Sequence, residues 1–313
     1  MLAGFRGTAI AHLISTYVQC ALAFGYLKFV SSHDPRTNID IFSKSDWMEA
    51  MTSYREVREY LRLGFAGVMS MSEWIFWETT CFLAGTLGVG ELAVHTVAYN
   101  LIPLAYMIPL GFSVGITTRV GHLLGSGDVE MSKKLVTSAI ALSTSISLLY
   151  SGAIWLWREA IIRCFTKDDL VVQGCLDIWP LVVCFLIIDG IFAIQEGVMK
   201  ALGLQLQLAL CVLCVCWCGS IPIMALAVSK ASDGVQGLMD IWLIFPPTYV
   251  LLNVALTFVY SRRDWSEISR AIIAKGSGSE PGSSGGGAYS KISVDSETFV
   301  VDDLDDDEIQ LNL

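Results

Sequence analysis

The chain has 313 residues, 54% of them hydrophobic and only 16% charged, with a mean hydropathy of +0.58. Soluble domains carry about a quarter charged residues, so this composition excludes an ordinary water-soluble enzyme or nucleic-acid-binding module and reads as an integral membrane protein. The formal charge of −10 is concentrated near the C-terminus, where "VDSETFVVDDLDDDEIQ" is densely acidic.

Stretches of about 20 apolar residues mark candidate membrane spans. They fall at roughly 8–30, 63–86, 92–118, 135–157, 176–199, 204–228 and 237–260. At about 1.5 Å per residue each is long enough to cross a core of about 30 Å. Strand-type alternation is absent, so the expected fold is an all-α integral membrane protein with about seven transmembrane helices. The first span is too long and too polar for a cleavable signal.

Between the first two spans lies a polar segment at 31–61, in which "KSDWMEAMTSYREVREYLRLGF" reads as an amphipathic surface helix. Ser45 suits an N-cap there, and Trp47, Met51, Tyr54 and Val57 recur at helical spacing. The second span contains "MSMSEWIFWETTCFLAG" (69–85), where Glu73 and Glu78 are the only charges between Leu63 and Gly90. A charge at bilayer depth costs about 2.5 kcal/mol or more, and intramembrane carboxylates are functional-site hypotheses for that reason. Asp189 in the fifth span is a third such group. Five residues place Glu73 and Glu78 about 140° apart on a helix, so they share a broad cavity rather than a narrow stripe, with Trp74 and Trp77 beside them. Burial disfavours the charged form of a carboxylate, which suits a proton relay or a cation site.

The third span, "ELAVHTVAYNLIPLAYMIPLGF", holds Pro103 and Pro109, each of which removes a backbone hydrogen bond. Carbonyls freed beside a cavity can serve a substrate. Asn100 offers an amide there, and Tyr99 and Tyr106 offer amphipathic rings. His95, near the outer end of the span, reads as structural rather than as a proton relay. Glu196 is expected to pair with Lys200 one turn on, outside the site. "RVGHLLGSGD" (119–128) reads as a tight turn between helices, since it lacks the ending and the preceding strand of a phosphate loop. In "CVLCVCWC" (211–218), Cys211, Cys214 and Cys218 share a helical face, but small buried hydrophobes are the favoured reading over a metal site. No nucleophile or zinc-ligand pattern is present; the chain is not expected to be an enzyme or to hold a metal or cofactor.

With the 31–62 segment placed in the cytosol, fifteen of the twenty Lys and Arg residues lie inside. That asymmetry puts the acidic C-terminus in the cytosol. Composition makes the stretch from about 275 too Gly/Ser-rich and acidic to fold. The first and last spans both open with a Gly-x-x-Gly pair, "GFRG" and "GVQG", an echo that fits corresponding helices of two repeats.

The glutamate pair followed by "CFLAGTLGVGELAVHTVAYNLIPLAYMIPLGFSVGITTRVGHLLGSGD" resembles the multidrug and toxic compound extrusion (MATE) family in its eukaryotic branch, over roughly residues 1–262. The most specific matches are "EW" with a second Glu five residues on, and "P-x-G-F" running into "RVG-x-x-LG-x-G". The resemblance implies a secondary antiporter of two six-helix lobes that exports organic cations or other xenobiotics in exchange for protons, with Na⁺ as a less favoured coupling ion. It implies a substrate- and proton-binding site at Glu73, Glu78 and Asp189, to which the reading of the residues themselves adds Trp74, Trp77, Tyr106 and Asn100. Family members often carry a glutamate where this chain has Asn100, and an amide cannot titrate.

On this resemblance residues 1–30 are the last helix of an N-terminal lobe otherwise missing from the chain. Residues 31–61 are a cytosolic linker, 62–262 a six-helix C-terminal transport lobe, and 263–313 a cytosolic tail. The expected location is the plasma membrane or an internal organelle membrane, and a second chain supplying the missing lobe is a possible partner. The alternative reading is a truncated, non-transporting protein that assembles with a full-length transporter and regulates it.

Overall fold

The computed structural model describes residues 4–33, Met48 and residues 54–276. Regular structure among them is helical throughout: α1 (Gly4–His33), α2 (Tyr54–Ser70), α3 (Ser72–Leu87), α4 (Val89–Gly125), α5 (Val129–Leu156), α6 (Arg158–Phe165), α7 (Asp169–Ala201), α8 (Gln205–Lys230), α9 (Gly234–Ser261) and α10 (Trp265–Gly276). Ser45, Trp47, Met51 and the expected tail beyond Gly276 lie outside the described residues. The chain divides into two units, Met1–Met69 and Ser70–Leu313.

In the first unit, α1 is one continuous helix of 30 residues covering the first expected span. It exposes Leu13, Tyr17, Leu22 and Phe24. Residues 54–65 of the expected amphipathic stretch lie in α2, which carries Tyr54 and Val57 and ends at Ser70.

Five helices of the second unit, α4, α5, α7, α8 and α9, are long and apolar enough to cross a membrane, and they match the last five expected spans. The second expected span differs. It is divided at Met71 (φ −81°, ψ 1°), where α3 begins, with the Trp74 N–H bonded to the Met71 carbonyl at 3.0 Å.

Aspartates start three of the long helices. Asp128, Asp168 and Asp233 accept from the backbone N–H groups of Met131, Leu170 and Gln236, satisfying donors that a helix start leaves free. The turn at 126–128, with Gly127 at φ 87°, is the expected tight connection. Gly88 joins α3 to α4 at φ 155°, and a Cβ there would also meet the Glu91 carboxylate, so only glycine suits the position. Both Gly-x-x-Gly pairs occupy the first turn of a long helix, α1 and α9. On the connecting helix α6, Asp169 and Glu159 raise the proton affinity of the exposed Arg163 guanidinium above its ordinary value through charge-assisted hydrogen bonds.

Helix α7 forms the centre of the second unit, burying Trp179, Val182, Phe185, Leu186 and Phe192. It approaches α4 closely at Gly197, whose carbonyl accepts from Thr117 Oγ1 at 3.0 Å. Against α5 the contact is made by small residues, with Ser143 Oγ bonded to the Gly190 carbonyl at 2.9 Å. Small side chains let helix backbones approach in this way inside a membrane. Leu148, Leu149, Leu243, Val254 and Phe258 point outward, as a lipid-facing surface requires.

Helix α8 contains a π-helical segment, Leu213–Ser220, which widens the turn so that hydrogen bonds span five residues. Cys216 is buried there while Cys214 and Cys218 are exposed, and no group of three metal-ligating side chains occurs among the described residues. The segment also aims Trp217, whose Nε1–H donates to the Ser72 carbonyl at 3.3 Å, and so fixes the start of α3.

Candidate functional site

The break at Met71 puts Glu73 in the first turn of α3, where the helix dipole favours negative charge. Its Oε1 accepts hydrogen bonds from the Tyr249 hydroxyl and from Trp77 Nε1 at 3.0 Å. The same indole N–H lies 2.8 Å from the Tyr249 oxygen, so the three side chains close a small triangle. Aromatic packing holds that triangle rigid. Trp77 stacks on Phe245, and Phe185 meets Trp77 and Tyr249 edge-on with centroids 5.2 and 4.7 Å away.

A pocket opens beside the triangle. Helix α3 supplies Glu73, Trp74 and Trp77; α4 supplies Tyr99, Ile102, Pro103 and Tyr106; α7 supplies Asp189. Pro103 removes the N–H that would bond the Tyr99 carbonyl. The crevice measures about 400 Å³ but is narrow, with room for only about two waters in this shape. Asp189 is 4% exposed, and no basic residue lines the pocket.

Five of the residues expected from sequence therefore meet: Glu73, Asp189, Trp74, Trp77 and Tyr106. Glu78 and Asn100 do not line the pocket. Glu78 is exposed on α3 and accepts from the Tyr99 hydroxyl at 2.6 Å, so one pocket-lining tyrosine ties it to the site. Asn100 is exposed and donates to the Thr96 carbonyl of its own helix at 2.8 Å. Glu196 pairs with Lys200 at 2.8 Å, as spacing predicts, but also accepts from Tyr106 at 3.2 Å, which joins it to the rim of the pocket. Tyr249 is the residue that sequence reasoning missed. The available signal is Pro246–Pro247 just before it, the same interruption that singled out Pro103 and Pro109. His95 lies fully buried outside the pocket lining.

The family model MatE matches residues 66–226, just over half of the chain. The chain belongs to the MatE family. It is 26% identical to Multidrug and toxin extrusion protein 1 of Danio rerio over 87% of its length and 44% of that protein. Against the Homo sapiens protein of the same name it is 26% identical over 75% of its length and 40% of that protein. An uncharacterized transporter of Schizosaccharomyces pombe is also 26% identical, over 85% of this chain and 48% of its own length. The fold is that seen in the crystal structure of the eukaryotic MATE transporter AtDTX14. The TM-score is 0.75 at 23% identity, over 86% of this chain and 58% of that one. The chain spans less than half the length of these curated relatives. MatE proteins are membrane transporters rather than enzymes, and this member is a multi-pass membrane protein with the all-α architecture expected from its sequence.

Proposed function

We propose that the chain provides the C-terminal lobe of a secondary antiporter, in which protons are exchanged for organic cations or other xenobiotics. Glu73 and Asp189 are the groups that alternately hold proton and substrate. The observation that carries this reading is a pair of carboxylates facing one pocket that no lysine, arginine or histidine lines. Glu73 is held by neutral donors, Trp77 and Tyr249, so its charge is positioned but not cancelled. An arriving cation and a proton then compete for the same charge, and binding of one favours release of the other. Trp74 and Tyr106, whose rings meet edge-on at 6.3 Å, offer π faces to a cationic ligand. The names of the zebrafish and human relatives agree with a substrate of this kind. In this reading the basic loops and the C-terminus are cytosolic, and the opposing lobe comes from another segment or chain.

The test is binding of tetraphenylphosphonium to the purified protein in lipid nanodiscs, at mildly acidic and mildly alkaline pH. Affinity is expected to fall on acidification, since protons occupy the carboxylates. Glu73→Gln is expected to weaken binding about tenfold, or 1.4 kcal/mol, and to flatten the pH dependence. Wild-type affinity and pH response in Glu73→Gln would overturn the assignment.

A further inference from the structure

On α4, Glu91, His95 and Tyr99 are spaced four residues apart and therefore share one face, with about 6 Å of rise between neighbours. The two ends of this stripe open into different cavities. Glu91 lines a crevice of about 970 Å³ together with Asp168, Gln173 and Asp177. Tyr99 lines the Glu73 pocket and donates to Glu78 at 2.6 Å. Between them the His95 side chain is fully buried, and neither Nδ1 nor Nε2 has a hydrogen-bond partner among the described residues.

A leucine or phenylalanine would fill that space without leaving polar atoms unpaired, which is costly in a buried site. The neighbourhood also supplies a second unpaired group. Trp242 of α9 has its ring centroid 5.6 Å from the imidazole, and its buried Nε1–H is unpartnered too. The Tyr99 ring lies nearly parallel to the imidazole at 6.3 Å. From α7, Cys175 approaches the same turn, its Sγ 3.8 Å from the Val94 carbonyl. No lysine or arginine lines either cavity, so carboxylates and neutral groups alone bound the stripe. Imidazole can take a proton at one ring nitrogen and release another from the opposite nitrogen.

We propose that His95 relays protons between the Glu91–Asp177 crevice and Glu78, the carboxylate that Tyr99 ties to the Glu73 pocket. The inference rests on the antiport reading given above. A proton from the crevice binds one ring nitrogen. The other nitrogen releases its proton toward the Tyr99 hydroxyl, whose own proton passes to Glu78. One proton moves in all, and only N–H and O–H bonds break and form.

The experiment follows proton release with a pH-indicator dye in stopped flow while tetraphenylphosphonium binds the protein in nanodiscs. His95→Gln keeps a donor and an acceptor but cannot titrate. It is expected to slow release about tenfold or more while leaving probe affinity and the number of protons released unchanged. Tyr99→Phe, which breaks the same chain at the next link, slows it too. Should His95→Gln fold poorly, Glu91→Gln at the open end produces the same slowing. Release at the wild-type rate in these variants overturns the relay. So does a His95→Gln variant that loses thermal stability and affinity together while its release rate holds, since that marks a packing role. If the wild-type protein releases no proton and Glu73→Gln binds the probe as wild type does, the antiport reading itself has failed and the relay falls with it.

Discussion

Trp77 lies flat against Phe245, with ring centroids 4.4 Å apart and planes 8° from parallel. Its indole N–H is shared at the same time between Glu73 and Tyr249. One residue thus joins the apolar core of the second unit to the charge in its pocket, and the two contributions can be separated by substitution.

Trp77→Phe keeps the stacking surface but removes the N–H. It is expected to cost about 1–2 kcal/mol of stability through the lost hydrogen bonds and to weaken tetraphenylphosphonium binding. Trp77→Ala also empties the core and is expected to cost about 3–5 kcal/mol. Thermal unfolding in detergent compares the two. Equal losses would mean that the hydrogen bonds contribute what the packing was thought to supply.

Gly197→Ala tests the approach of α4 to α7. A Cβ there would lie 2.6 Å from the Ser113 carbonyl oxygen and 2.7 Å from its hydroxyl, so the helices must separate. The expected destabilisation is about 1–3 kcal/mol, with loss of the Thr117 hydrogen bond. Gly152→Ala on α5, where nothing lies within 4 Å, is the control and is expected to be neutral or slightly stabilising. A thermal shift of the same size in both would remove the packing argument.

Trp265→Ala tests whether α10 belongs to the folded unit. Trp265 is 4% exposed and donates to the Tyr260 carbonyl at 3.0 Å, while the buried Ser269 hydroxyl donates to the Leu124 carbonyl at 2.5 Å. Loss of the indole is expected to cost about 3 kcal/mol or more and to open the 262–276 region to limited proteolysis. Probe binding at the Glu73 pocket should stay unchanged, since α10 supplies none of its lining. Persistent protease resistance would argue that Ser269 alone docks the helix.

The long helices were legible because lipid demands continuous apolar runs, and the last five expected spans coincide with α4, α5, α7, α8 and α9. The division at Met71 was not. Hydropathy averages over a window and cannot register one residue leaving helical geometry. Counting intramembrane charges, which are rare, singled out Glu73, Glu78 and Asp189, and of these Glu73 and Asp189 line one pocket. The tyrosine partner of Glu73 escaped the same count: Tyr249 is neutral, common in apolar runs, and 176 residues away from Glu73 in sequence. The positions of Glu78 and Asn100 also depend on helix rotation. Periodicity constrains that only weakly when a helix is apolar on every side.

The break before Glu73 bears on what an empty site looks like. A buried carboxylate is usually kept in place by an opposing lysine or arginine, and a ligand must evict that partner before it can bind. Here the supporting cast is uncharged: the first turn of a helix, an indole and a phenol. The nearby lysine, Lys200, is held by Glu196. In the proposed antiport an arriving cation has only a proton to displace from Glu73, and no ion pair has to be broken before it binds or rebuilt after it leaves.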